Sequence, residues 1–375
     1  MIRATITEQH SIVFARALTV VIAVLAFLAV WIVVPAPVYP LLPLGVVMPE
    51  VSPLLLIAAV VIGGLALRLR GVVRFAVAGL ALVVIVMASR PLAEFRATRI
   101  RFDALASALP SAVTGRESEE VMITRGIVFA EPGGRPLTLD VYRSPAKGFF
   151  PIVIQLYGGA WQRGGPADDG SFASGLARRG YVVIAIDYRH APQSTWPAQI
   201  NDVRAAIEWI VAHASDYGGD PRLMALIGRS SGAQLALVEA FAEPGRFSAV
   251  ISLYGPTDLA EGWRRPPSPD PMPVRQPLEA FLGGTPDTVP GRYAAASPVS
   301  YVSKRAPATL LIYGARDHVV EARFGRELDA KLKAAGASSI YLELPWAEHA
   351  FDLVPGLGAH LVEPYIERFL AAHLQ

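Results

Sequence analysis

The chain contains no cysteine in its 375 residues. That absence excludes disulfides, thiolate metal sites and a cysteine nucleophile, and it fits either redox compartment. A surplus of charge is missing too: 34 basic against 32 acidic residues leave a net charge of +2 and a pI of 8.8. No nucleic-acid or other polyanionic partner is implied. Internal repeats are absent, and low complexity is confined to "RRPPSPDPMP" at residues 264–273.

Charge is also unevenly distributed. No charged residue occurs from Ala17 to Val34, none from Val51 to Leu67, and only Arg74 interrupts Gly71–Ala88. At about 1.5 Å per residue, runs of this length match the hydrocarbon thickness of a bilayer. The expectation is three transmembrane helices, at about 12–34, 51–69 and 71–89. A cleaved signal peptide has a shorter apolar core and would not explain the two later runs. Arg68, Arg70 and Arg74 flank the second link, whereas residues 35–50 hold no Lys or Arg. The positive-inside rule then puts the N-terminus of a multi-pass cell-membrane protein in the cytoplasm and everything after the third span on the outer face. Arg90, Arg96, Arg99 and Arg101 argue the other way, although long domains translocate largely regardless of charge.

Residues 91–120 read as a juxtamembrane connector or a helix lying near the headgroups, with the connector preferred. Beyond them come "VMITRGIVF", "LTLDVY", "PIVIQLY", "YVVIAID", "LMALIG", "AVISLYG", "TLLIYG" and "IYLELP". Most are apolar on successive positions, as in strands covered on both faces. Helical stretches lie near 168–179, 199–214, 231–242, 322–335 and 359–374. Strand and helix in alternation predict a doubly wound α/β domain over 121–375, with ligands at the carboxyl ends of the strands.

At one such end stands "LIGRSSGAQL", residues 226–235. Gly228-Arg229-Ser230-Ser231-Gly232 is the G-x-S-x-G pattern in a strand-turn-helix context, and its spacing makes Ser230 the nucleophile. Ser231 then supplies a backbone N–H at the helix start. A serine hydroxyl needs a base, and the base needs a group that fixes its tautomer. Of seven histidines, His10 precedes the domain, His213 and His373 fall on helical patterns, His190 follows a strand and His360 opens a helix. His349, in the loop "PWAEHAFD" between the last strand and the last helix, is the candidate base. Asp317 in "YGARDHVV" is the candidate acid, preferred over Asp258, which reads as a turn cap. His318 reads as a loop residue. Preorganised N–H donors on a developing oxyanion are each worth roughly 3 to 4 kcal/mol, and Gly158, Gly159 and Ala160 in "QLYGGAWQRG" leave that backbone unshielded.

With these elements in place the chain resembles the α/β-hydrolase superfamily over residues 120–375. The likeness is to carboxylesterases of the hormone-sensitive-lipase type and their neighbours, including membrane-bound methylesterases of prenylated cysteine. It rests on "YGGAW", "AIDYRHAPQ", "YGGDP", "GRSSG", "ASPVSYV", "YGARD" and "EHAFD". The resemblance implies an α/β-hydrolase fold with a mostly parallel eight-stranded sheet. It also implies Ser230, Asp317 and His349 as triad, with Gly159, Ala160 and Ser231 as oxyanion donors. Tyr157 departs from the histidine usual before the glycines, and Ala160 replaces a third glycine. Tyr157, Gly158 and Trp161 are candidate substrate contacts. The segment 262–298 is the candidate cap, and Trp161, Trp263 and Trp346 are candidate pocket walls.

The expected function is a membrane-anchored serine ester hydrolase acting on a small-molecule or lipid-like ester through an acyl-enzyme. No metal or organic cofactor is expected. The alternatives are an acyltransferase using a non-water alcohol, a peptidase, and an inactive hydrolase fold kept for binding. Oligomeric state is not legible.

Overall fold

Each of the eight apolar runs beyond the membrane-like region becomes a strand, and together they form one sheet. A computed structural model describes residues 2–107, 109 and 118–375. The strands are β1 (Met122–Ala130), β2 (Leu137–Arg143), β3 (Phe150–Leu156), β4 (Val182–Ile186), β5 (Gly219–Arg229), β6 (Ala249–Leu253), β7 (Ala308–Gly314) and β8 (Ser339–Leu344). Their order is β1-β2-β4-β3-β5-β6-β7-β8. β2 runs antiparallel to both β1 and β4, and every other pair is parallel. All residues of β4 and β6 are buried, as a sheet with helices on both faces requires.

The crossovers are α5 (Gly170–Arg178), α6 (Ala198–His213), α7 (Ser231–Ala242), α11 (Arg323–Ala334) and α12 (Leu357–His373). They fall on the five predicted helical stretches. Three short helices lie between β6 and β7: α8 (Leu259–Arg264), α9 (Arg275–Leu282) and α10 (Pro290–Ala296). The prolines of this segment conceal them, because a helical period interrupted by proline is no longer visible as one.

The first hundred residues differ from expectation. Two described helices are long and apolar enough to cross a membrane, not three. They are α1 (Ile2–Val30), through its part Ile12–Val30, and α4 (Gly71–Ala106). Between them α2 (Leu42–Glu50) and α3 (Ser52–Ala66) meet at 74°. α3 has 15 residues, about 22 Å at the helical rise, which is short of a bilayer's hydrocarbon; only as a bent pair with the turn preceding α2 does this run reach spanning length. The bend falls at Glu50-Val51-Ser52-Pro53, where a proline cannot continue the preceding helix. The connector reading also changes: α4 does not stop near residue 89 but runs through Pro91 to Ala106. The rest of the expected connector, residues 110–117, lies outside the described residues.

α1, α3 and α4 pack on one another through a stripe that includes Ile22, Ala59, Ile62, Val77, Ala81 and Val84. Outward from it point Leu54, Val60, Phe75, Leu82 and Val86, all exposed. A second cluster joins the sheet core to the N-terminal helical region, through Trp31 just after α1, Leu42 of α2 and Phe102 of α4.

Candidate active site

Ser230 sits where β5 ends and α7 begins, with φ 51° and ψ −120°. A non-glycine residue adopts that backbone only when its surroundings impose it. Here the flanking glycines make it feasible. A Cβ on Gly228 would lie 2.4 Å from the Gly232 carbonyl oxygen, and one on Gly232 would lie 2.3 Å from that of Tyr157. The turn thus holds the serine side chain above the carboxyl edge of the sheet.

His349 follows β8 and reaches across to it. His349 Nε2 lies 3.0 Å from Ser230 Oγ, and His349 Nδ1 lies 2.7 Å from Asp317 Oδ2. The other carboxylate oxygen of Asp317 accepts the N–H groups of Val319 and Val320 at 2.8 and 2.7 Å. Both carboxylate oxygens are therefore engaged, and the acid has one orientation. Asp317 and His349 are both buried. Burial by itself disfavours the imidazolium, but the carboxylates of Asp317 and Glu348 outweigh it, so the His349 pKa is raised above the ordinary 6.5. Burial raises the Asp317 pKa against the opposing pull of His349.

The loop after β3 lies opposite. Gly159 has φ 137°, Ala160 φ 54° and Trp161 φ 60°. A side chain at Gly159 would put its Cβ 2.1 Å from the Arg163 carbonyl oxygen, whereas the open space at position 160 admits a methyl group. Among the described residues, none accepts the N–H of Gly159 or Ala160. Ser231 stands at the first position of α7, where an N–H has no intrahelical partner. Tyr157 is buried, its ring stacked on Tyr188 at 4.5 Å. Its hydroxyl donates to Asp187 at 2.5 Å and lies 2.9 Å from His190 Nε2, so the tyrosine braces the loop from beneath.

Two cavities flank Ser230. One, of about 50 Å³, is walled by Trp161, Leu259, Val274, Leu278, Val320 and Phe324, with Pro267 and Met272 from the proline-rich segment. The other, of about 250 Å³, is lined by Tyr157, Gly158, Arg163, Asp168, Tyr254, His349 and Leu353. Segment 262–298 thus shapes the first cavity, and Trp161 lines it. Trp161 Nε1 donates to Gln234 at 2.8 Å, and the ring stacks on Phe281 at 4.3 Å. Trp263 and Trp346 line neither cavity. Trp263 bonds Glu279 under Arg275, and Trp346 is buried behind the His349 loop. Asp258 caps α8 by accepting the Glu261 N–H.

Several residues of the site carried no signal in the sequence. Arg229, next to Ser230, is buried between Asp169 at 3.0 Å and Asp352 at 2.6 Å, with Phe172 under its guanidinium. Burial works against its charge, and the two carboxylates reverse this and hold its pKa above the ordinary guanidinium value. Glu348 binds two loops together: Oε1 accepts the N–H of His318 and of His349, and Oε2 lies 2.6 Å from His318 Nδ1. An arginine inside an otherwise small-residue turn was the one available hint. Among the described residues no group of His, Asp and Glu side chains has the arrangement of a metal site.

Fold and geometry together define an α/β hydrolase with a serine at its nucleophile turn. The BD-FAE family model matches residues 139–332, just over half of the chain, and the chain belongs to the BD-FAE family. It is 35% identical to Esterase LipQ of Mycobacterium tuberculosis, over 64% of this chain and 60% of that one. It is 34% identical to the Probable carboxylic ester hydrolase LipM of the same organism, over 64% of this chain and 58% of that one. The chain thus spans about 60% of the length of these relatives. Among solved structures, carboxyl esterase 2 of Tuber melanosporum has the same fold, with a TM-score of 0.59 and 21% identity over 74% of this chain and 98% of that one.

Proposed function

We propose that the chain is a membrane-anchored serine hydrolase of carboxylic esters. The observation that carries this reading is the hydrogen-bonded line from Ser230 through His349 to Asp317, with an apolar cavity beside the serine. Ser230 Oγ attacks the acyl carbon while His349 Nε2 takes its proton, and Asp317 holds the imidazole and stabilises its charge. The carbonyl oxygen becomes an oxyanion facing the N–H groups of Gly159, Ala160 and Ser231. As the tetrahedral intermediate collapses, His349 gives the proton to the leaving alcohol, and an acyl-enzyme on Ser230 remains. Water, deprotonated by His349, attacks that ester, and collapse releases the acid while His349 returns the proton to Ser230 Oγ.

The leaving oxygen must meet His349, and His349 lines only the larger cavity. The alcohol therefore belongs in the cavity of Arg163 and Tyr254, and the acyl chain in the smaller apolar one. Short acyl chains fit best. Among p-nitrophenyl esters from acetate to palmitate, kcat/KM is expected to peak at the short end. A fluorophosphonate probe should label Ser230 and lose its reaction in His349→Ala; wild-type protein that neither labels nor cleaves any ester overturns the reading.

For the anchor, α1, α3 and α4 present unpartnered apolar faces that lipid would cover. Tyr39 and Glu50 touch the sheet domain, so the α3–α4 turn with Arg68 and Arg70 lies at the far end of the bundle. That arrangement supports an N-terminus on the side opposite the sheet domain, and the arginines favour the cytoplasm for it. Reporter fusions at each end distinguish the two sides.

A further inference from the structure

Glu50 comes from α2, far in sequence from every residue of the site, yet it is buried against the segment that carries His349. Its carboxylate accepts two N–H groups. One is the indole Nε1 of Trp346, at 3.0 Å, just before His349. The other is the backbone N–H of Gly358, in the first turn of α12 and just after Asp352. One side chain therefore fastens both ends of the stretch that holds His349, Phe351 and Asp352. Phe351 packs edge-on against Tyr254, which itself lies 4.6 Å from the His349 ring, and Asp352 holds Arg229 beside the nucleophile.

The sheet domain makes room for this carboxylate. A Cβ on Gly356 would lie 2.5 Å from Glu50 Cβ, and one on Gly358 would come within 3.1 Å of both Glu50 carboxylate oxygens. Neither glycine has the backbone conformation that demands glycine, so space is their role. From the other side Phe95 of α4 meets the Trp346 ring edge-on at 5.9 Å. A buried carboxylate is stable only when its oxygens are paired, and the first turn of a helix supplies N–H groups and a favourable dipole for one.

We infer that Glu50 is a positioning residue for the hydrolytic reaction, the clasp through which the N-terminal helical region holds the His349 loop in register with Ser230. The inference rests on the reading of Ser230 as nucleophile for its kinetic consequence, but not for its structural one. Displacements of the order of an ångström at a base are enough to slow proton transfer severely. An anchor removed or rearranged would therefore reduce turnover without touching the catalytic groups.

The test uses the full chain in detergent micelles, with Glu50→Gln and Trp346→Phe. A glutamine can accept through only one oxygen and turns its NH2 toward an N–H donor; phenylalanine removes the indole N–H and keeps an aromatic ring. Active Ser230 is counted with the fluorophosphonate probe, and kcat and KM are measured on a short-chain p-nitrophenyl ester. Hydrogen exchange is followed over residues 346–358. The expected result is kcat per labelled serine lowered roughly tenfold, KM changed by less than about twofold, and faster exchange confined to that stretch. Unchanged kcat per labelled serine overturns the clasp, even where the yield of folded protein falls. Should wild-type protein neither label nor turn over ester, the esterase reading fails, and the exchange measurement alone decides whether Glu50 holds the loop. If Glu50→Gln does not fold, Trp346→Phe gives the answer under the same criteria.

Discussion

Strand β4 is made of Val, Ile and Ala and helix α3 mostly of Val, Ile, Leu and Ala, and they dispose of that apolar surface in opposite ways. Every residue of β4 is buried, because helices cover both faces of a parallel sheet. In α3 only a stripe through Leu55, Ala59, Ile62 and Ala66 is buried, while Leu54, Ile57, Val60 and Val61 stand exposed. Apolar composition therefore does not separate a core from a membrane-facing element; the completeness of cover does. α1, α3 and α4 each expose many large apolar side chains, a pattern that marks an interface rather than a monomer's ordinary exterior. The proposed chemistry lies wholly in the covered region, and the two regions meet at Glu50 beside Trp346 and at Tyr39 beside Arg163.

The largest expected effect tests whether the covered region alone does the chemistry. Ser230→Ala or His349→Ala should lower kcat about 10⁴-fold or more with the membrane-associated fraction unchanged, read by ester hydrolysis and by sedimentation with membranes. Next comes the buried charge of the sheet domain. Arg229→Met leaves Asp169 and Asp352 facing each other without a cation, and removing one partner of such a group costs about 3–5 kcal/mol. Thermal unfolding should shift accordingly, and activity should fall with it. An unaltered melting temperature would mean the two carboxylates find other partners.

A matched pair then sharpens the difference in cover. Val83 in α4 and Val128 in β1 are 45% and 46% exposed. If lipid covers the first and water the second, Val83→Lys should cost about 3 kcal/mol of insertion, measured as loss from the carbonate-resistant membrane fraction. Val128→Lys lies on the sheet's edge strand, where lysine is well tolerated, and should change stability by less than about 0.5 kcal/mol. Equal effects of the two substitutions would remove the distinction on which the anchor rests.

What could be read from sequence follows the range over which each interaction acts. The eight strands and five crossover helices are local patterns, and so are the glycines that let Ser230 adopt its backbone. That Ser230, Asp317 and His349 come together was legible because each stands at a strand's carboxyl end in the order the superfamily resemblance supplies. Arg229, Glu348 and Glu50 were not. Apart from the His349 N–H next to Glu348, their partners are far away in sequence, and nothing local distinguishes a glutamate that will be buried against α12 from one in solvent. The second apolar run departs from expectation for a related reason: hydropathy reports that residues 51–67 are apolar, but not that the chain turns by 74° at their start, where Glu50 docks and Pro53 opens α3.

The smallest effect concerns pH, and it separates the groups that share His349. In the proposed reaction only neutral His349 can accept the Ser230 proton, so kcat/KM should fall as pH drops through its pKa. Burial would place that pKa below the ordinary 6.5, but Asp317 and then Glu348 more than offset it. The acid limb of the profile is therefore expected above pH 6.5, with the rate falling about tenfold, or 1.4 kcal/mol, for each unit below the midpoint. Glu348→Gln removes one of the three carboxylates that favour the imidazolium, Asp317, Glu348 and Asp352, and should move the midpoint down, with the plateau rate largely kept, since Asp317 still fixes the ring. Asp317→Asn should also move it down, but with the plateau lost as well. A Glu348→Gln midpoint that stays in place, or moves up, would assign Glu348 to bracing the His318 and His349 backbone alone.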